Sequence, residues 1–152
     1  MRSNKIRQRW AQLRQLSLHE WRVLLLAFML LPISALLLQC RGMQKTQQYM
    51  SLFLPDQSVH NSIPDEQQVP PDKVARLVSA VARHTLFRGV CLKQSLVLWW
   101  LLARQGTPAE IRLGVRREEE KTIKAHAWVE CNGQVLIDSP EIENRYTAFA
   151  PR

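Results

Sequence analysis

The sequence predicts an α+β fold, helices first and an antiparallel sheet after them, and three observations carry that prediction. Val74, Leu77, Val78, Val81 and Thr85 recur on one helical face. Residues 96–103 are apolar almost without interruption and are closed by Gly106 and Pro108. Beyond Pro108 the period changes to that of strands, and Asn132-Gly133 is a strong hairpin-turn signal between two of them.

Composition sets the frame. The 152 residues are 46% hydrophobic and 22% charged, which suits one ordinary folded domain. The formal charge of +8 is unevenly spread: residues 1–53 hold eight Lys or Arg against Glu20 alone. That bias points the N-terminal third toward an acidic membrane surface or an acidic partner. Nucleic acid is not expected, because no basic stripe is interleaved with aromatics and no zinc-finger spacing occurs. Cys40, Cys91 and Cys131 are odd in number, widely spaced and without a CxxC, so a reducing compartment is expected. His19, His60, His84 and His126 form no HxxxH or HExxH pair, so neither a metal site nor a cofactor is expected.

In chain order, Ile6, Trp10, Leu13 and Leu16 fit one stripe of a basic helix. Residues 23–38 follow without a charge and with Pro32 at their centre. A signal peptide fits poorly, because the basic region before the run is long and no small-residue cleavage site follows. A membrane span needs residues 21–40, with Arg22 and Gln39 included, to reach bilayer length. It would also export unpaired cysteines. A packed helix, or a helical hairpin broken near Pro32, agrees better with both facts. Residues 44–54 suggest one more short helix. Residues 54–71 hold Pro55, Pro64, Pro70 and Pro71 and read as a linker. The predicted division is therefore a helical segment at 1–53, a linker at 54–71 and a main domain at 72–152.

Within the main domain Asp72 is expected to cap a helix that begins at Lys73 and ends near Phe87. Residues 91–104 form the next helix, apolar nearly all round and so central. Residues 109–115, 125–131 and 134–138 read as strands, with a charged hairpin tip at 117–121.

Three residues in this plan carry chemistry. Cys91 follows Gly89 at the start of the central helix, where free N–H groups and the helix dipole stabilise negative charge on sulfur. Taken alone it also suits a small core residue. His126 alternates with Trp128 and Glu130 on one face of its strand. A two-residue Asn132-Gly133 turn pairs Cys131 with Gln134 and sets His126 beside Asp138. One residue of bulge or twist would join the two side chains. A carboxylate beside an imidazole fixes its tautomer and supports its positive charge. Singly, a half-buried strand histidine and a strand-end aspartate need no such role. In the order Cys, His, Asp they form a nucleophile, base and orienting group. Gln94, one turn on from Cys91, is a candidate oxyanion donor or a solvent-facing residue. Trp128 is a candidate wall of the site or a core residue.

The stretches Arg88-Gly89-Val90-Cys91-Leu92-Lys93-Gln94-Ser95-Leu96, Ala125-His126-Ala127-Trp128-Val129-Glu130 and Ile137-Asp138 resemble the transglutaminase-like proteases of lasso peptide biosynthesis, the B proteins that remove a leader peptide from a ribosomally made precursor. The resemblance runs from about Asp72 to Phe149. It implies a papain-like/transglutaminase-like core and a catalytic triad on Cys91, His126 and Asp138. Residues 1–71 do not look like the leader-recognition domain of single-chain members, which implies the split form. The expected partners are then a separate leader-recognition protein, the precursor peptide and an asparagine-synthetase-like cyclase. A cytoplasmic location is expected, with the inner membrane face open as a contact through residues 21–40. Two rivals use the same residues differently. One is an acyltransferase or cross-linking enzyme with an amine as acceptor. The other is a non-catalytic scaffold of a membrane-associated complex.

Overall fold

Ser17 and Glu20 open the first helix with reciprocal bonds. The Ser17 hydroxyl accepts from the Glu20 amide at 3.3 Å, and the Glu20 carboxylate accepts from the Ser17 amide at 3.1 Å. This is seen in a computed structural model, which describes residues 16–55, 68–83, 90–117, 122–138 and 141–149. The helix, α1, runs Leu18–Ser51. The predicted basic stripe before it lies outside the described residues, save Leu16, as do most of the Pro-rich segment and the 118–121 tip.

Where α1 breaks is a correction. It passes through Pro32, whose ring lies on an exposed side, and departs from helical geometry at Gly42, with φ 73° and ψ 177°. Glycine alone adopts that φ without a Cβ penalty. Proline costs one intrahelical bond but need not end a helix whose other face is packed. The hydroxyl of Thr46, fully buried, donates to the Gly42 carbonyl at 2.7 Å and steadies the break. The short helix expected at 44–54 is thus the far arm of α1, running to Ser51.

α2 spans Pro71–Ala82. Its N-cap is Pro70 and its first residue Pro71, not an Asp72 cap, because proline at the first helical position forfeits no hydrogen bond. Asp72 lies in the first turn. The helix ends at Ala82 rather than near Phe87: Val81 and Ala82 are its last buried positions, and Arg83, His84 and Thr85 that follow are polar. α3, Val90–Arg104, is the central helix, with Leu96, Val97, Leu98 and Leu102 without exposed surface.

The sheet holds β1 (Glu110–Arg117), β2 (Ile123–Cys131), β3 (Gln134–Leu136) and β4 (Thr147–Ala148) in the order β3-β2-β1-β4, all pairs antiparallel. A one-turn helix, α4 (Ile142–Arg145), precedes β4. The third strand stops at Leu136, two residues short of the expected end. α4 and β4 were not expected at all, since four and two residues are too few to show a period. β4 is anchored on β1 by the Phe149 amide, which donates to the Leu113 carbonyl at 2.7 Å.

One core joins these parts. Val23, Ala27, Leu31 and Met50 of α1 meet Val74 and Val78 of α2, Leu96 to Leu102 of α3, and Val129, Cys131 and Leu136 of the sheet. The Trp100 indole donates to the Met50 carbonyl at 2.8 Å, and the Gln105 amide oxygen accepts from the Val69 amide at 2.8 Å. Helices lie to one side, and β2, the strand that α3 packs against, carries His126.

Candidate active site

The geometry around His126 follows from the turn. Asn132 and Gly133 take φ 50° and 75°, the two left-handed positions that a type I′ hairpin needs. Cys131 therefore pairs with Gln134, Glu130 with Val135 and Val129 with Leu136. This is the register expected from the sequence. Continued unchanged, it would leave Asp138 beside His126 rather than against it. Ile137 supplies the displacement. Its φ of 81° is costly for a β-branched residue and ends the ladder at Leu136. The chain then turns Asp138 inward, and Oδ2 lies 3.0 Å from His126 Nε2.

A carboxylate can only accept hydrogen bonds, so when the pair is a carboxylate and a neutral imidazole it selects the tautomer with the proton on Nε2 and leaves Nδ1 as the accepting nitrogen. Both side chains are partly buried, 22% and 27% exposed, which limits the water competing for the bond. The ring is further held by aromatics. Trp128 lies nearly parallel at 6.4 Å between centroids, and Tyr146 tilts against it at 5.3 Å. Trp128 is 1% exposed, and its indole donates to Glu130 Oε1 at 2.9 Å. Glu130 in turn accepts from Arg112 Nε at 2.9 Å. Trp128 is therefore buried structure and neighbour of His126 at once.

Cys91 is the second residue of α3, in its first turn, with its side chain partly exposed and in no disulfide. Its sulfur makes no hydrogen bond to His126 or Asp138 among the described residues. The structure thus brings His126 and Asp138 into contact, and sets Cys91 at the start of the helix that packs on the strand of His126. Gln94 is committed elsewhere: its side-chain amide donates to the Ser79 hydroxyl at 2.7 Å and ties α3 to α2. Ser95 is buried at 2% exposure. The other two cysteines differ from Cys91. Cys40 is exposed, and Cys131 is buried, with burial first and the nearby Asp72 charge second raising its thiol above the ordinary range.

Sequence reasoning missed Tyr146 and Gly114. Gly114 faces His126 across the β1–β2 ladder, and Tyr146 reaches the same place from the end of α4. The guanidinium of Arg116 lies 5.3 Å over the Tyr146 ring. Gly114 interrupts an otherwise strand-like run, and a glycine there is a sign of close approach by another group. Nothing local marks Tyr146, whose place depends on the return of the chain to β1.

Residues 34–151 match the model of the transglutaminase-like superfamily, a stretch that holds Cys91, His126 and Asp138. Over 73 residues the chain is 29% identical to the Microcin J25-processing protein McjB of Escherichia coli. The match takes in 48% of this chain and 34% of that protein, so the chain spans about a third of its relative's length. No solved structure matches. The α+β architecture, the sheet that carries His126 beside Asp138, and a family match over most of its length together establish that the chain belongs to the transglutaminase-like superfamily.

Proposed function

We propose that this chain is a cysteine peptidase that removes the leader peptide from a ribosomally synthesised lasso peptide precursor. The observation that carries the reading is the 3.0 Å contact between His126 Nε2 and Asp138. It leaves Nδ1 to exchange a proton with a nucleophile. Further support comes from the superfamily match and from the similarity to a protein that processes microcin J25. In this reading Cys91, His126 and Asp138 act as a triad, and residues 72–152 hold it.

The chemistry is acyl transfer to water. The Cys91 sulfur, its proton passed to His126, adds to the carbonyl of the last leader residue. The oxyanion is met by backbone N–H at the start of α3. The C–N bond breaks as His126 returns the proton to the departing amine of the core peptide. Water, deprotonated by His126, then hydrolyses the thioester and frees the leader as a carboxylate. Asp138 holds the imidazole tautomer and balances its charge while protonated. The partners of this scheme are the precursor, a separate leader-recognition protein and an asparagine-synthetase-like cyclase that uses the freed amine. The reaction would take place in the cytoplasm.

The test is a reconstituted mixture of precursor, recognition protein and this chain, read by mass spectrometry. A free leader carboxylate is expected with the native chain and none with Cys91→Ala. Cleavage by the Cys91→Ala chain would refute the reading. A new amide in place of the carboxylate would make the chain a transferase.

A further inference from the structure

α1 has two apolar faces, and among the described residues the fold covers only one. Glu20, Val23, Ala27, Leu31, Ser34 and Ala35 are buried along the inner side. Leu18, Trp21, Leu25, Phe28, Met29, Ile33 and Leu36 are each 45% to 79% exposed. At 100° per residue these seven fall within one arc opposite the buried set. They form a stripe roughly 27 Å long at the helical rise. An exposed apolar surface of this extent on a soluble protein marks a contact.

We infer that this outer face docks α1 lengthwise on an anionic lipid bilayer, in the plane of the interface, with the rest of the protein above it. Charge selects the occupant. The only acidic residue among residues 1–53 is Glu20, and it is turned inward and paired with Lys73. Arg22 lies exposed within the stripe near its start, and Arg41 and Lys45 lie exposed beyond its end. Five more Arg or Lys precede the helix in residues 1–15. The stripe is thus framed by positive charge with no exposed carboxylate in this part of the chain. A negative lipid surface over a hydrocarbon layer complements both features together. Trp21 and Tyr49, both partly exposed, suit the headgroup level.

The same helix is long and apolar enough to cross a membrane. Crossing would strip Val23, Ala27 and Leu31 from the shared core and part Glu20 from Lys73, whereas lying in the plane keeps them. The inference holds whether or not Cys91 reacts.

The full chain is to be sedimented with vesicles of phosphatidylcholine alone and of phosphatidylcholine with phosphatidylglycerol. Binding is expected to the anionic vesicles, to weaken with salt and to be released by alkaline carbonate. The triple variant Leu25→Ser, Phe28→Ser, Met29→Ser should bind roughly tenfold less or weaker still, with its far-UV circular dichroism and melting cooperativity kept. Should that variant not fold, the pair Arg22→Glu, Lys45→Glu gives the second reading and should abolish the preference for anionic lipid. The inference is overturned by absence of vesicle binding, by equal binding of folded variants, by carbonate-resistant insertion, or by a stripe-dependent dimer or protein complex formed in place of vesicle binding.

Discussion

Gly114 is the position where one methyl group has the largest effect near His126. A Cβ built there would lie 2.8 Å from Cη2 and Cζ3 of Trp128 and 2.9 Å from the Cβ of Tyr146. These are the two residues whose rings pack against His126. Neither contact is the free end of a flexible chain, so relief must move the ring or the backbone. Gly114→Ala should cost about 1–3 kcal/mol in urea unfolding, as overpacking does. It should also slow cleavage by more than the loss of folded protein accounts for, because the imidazole loses its support. An unchanged rate in the folded variant would show that the aromatics do not position His126. The cysteines give a second prediction at this scale. Cys131 is 4% exposed and its thiol is raised by burial, so it is both covered and less ionised. Iodoacetamide at neutral pH should label Cys40 and Cys91 in the native chain, and Cys131 only after denaturation. Mass spectrometry of tryptic peptides reads this directly, and early labelling of Cys131 would contradict its placement.

Among the elements, the start of α1 is tied to α2 by charge. Lys73 beside Glu20 chiefly holds the Glu20 carboxyl below its ordinary range, against burial, with help from the Ser17 amide. A carboxyl depressed in the folded state stabilises above its unfolded pKa, and that gain is lost as pH falls through its folded value. Glu20→Gln should therefore destabilise by about 1–2 kcal/mol at neutral pH, the scale of a cap plus a partly exposed ion pair. The difference from the native chain should shrink as the medium is acidified below the ordinary carboxylate range. A gap that persists in acid would mean that shape, not charge, sets the cost. The Ser17–Glu20 capping box that places this pair was missed in the sequence, whereas α3 and the β2–β3 hairpin are legible there. Each is specified by neighbours along the chain: a run of apolar residues closed by Gly106, or an Asn-Gly turn that sets a register. What the sequence hid depends on distant partners or on cancelling signals. Pro32 is the stronger breaker by propensity, yet the packed inner face of α1 carries the helix through it to Gly42. β4 exists because β1 offers an edge, and Tyr146 meets His126 only through that pairing. In the candidate site, the nearness of His126 and Asp138 was readable from the register. The left-handed Ile137 that completes it was not, since nothing in an isoleucine suggests positive φ.

For the molecule as a whole, the question is what the first helix contributes to the fold. A chain shortened to residues 72–152 would keep α2 apart from its first residue, α3, the sheet and all three candidate catalytic residues. It would lose Val23, Ala27, Leu31 and Met50, which fill the side of the core facing Val74, Val78 and Trp100. It would also lose the Met50 carbonyl that accepts from the Trp100 indole and the Glu20 carboxylate that pairs with Lys73. Val74, Val78, Leu98 and Trp100, now 5% exposed or less, would face water in some measure. A remainder of about 80 residues is near the size at which one hydrophobic core barely suffices. Removing a flank of that core should leave secondary structure without fixed packing. The shortened chain is expected to bind a hydrophobic dye, to lose its near-ultraviolet circular dichroism and to melt without a cooperative transition. If it melts cooperatively and still cleaves precursor, α1 is an appendage and its inner face a dispensable contact. The expected outcome makes α1 a wall of the core, while its outer stripe is the face proposed to meet a bilayer. Binding at its outer stripe then carries the His126 site to the membrane without a separate tether, because the helix that touches lipid also packs against α3.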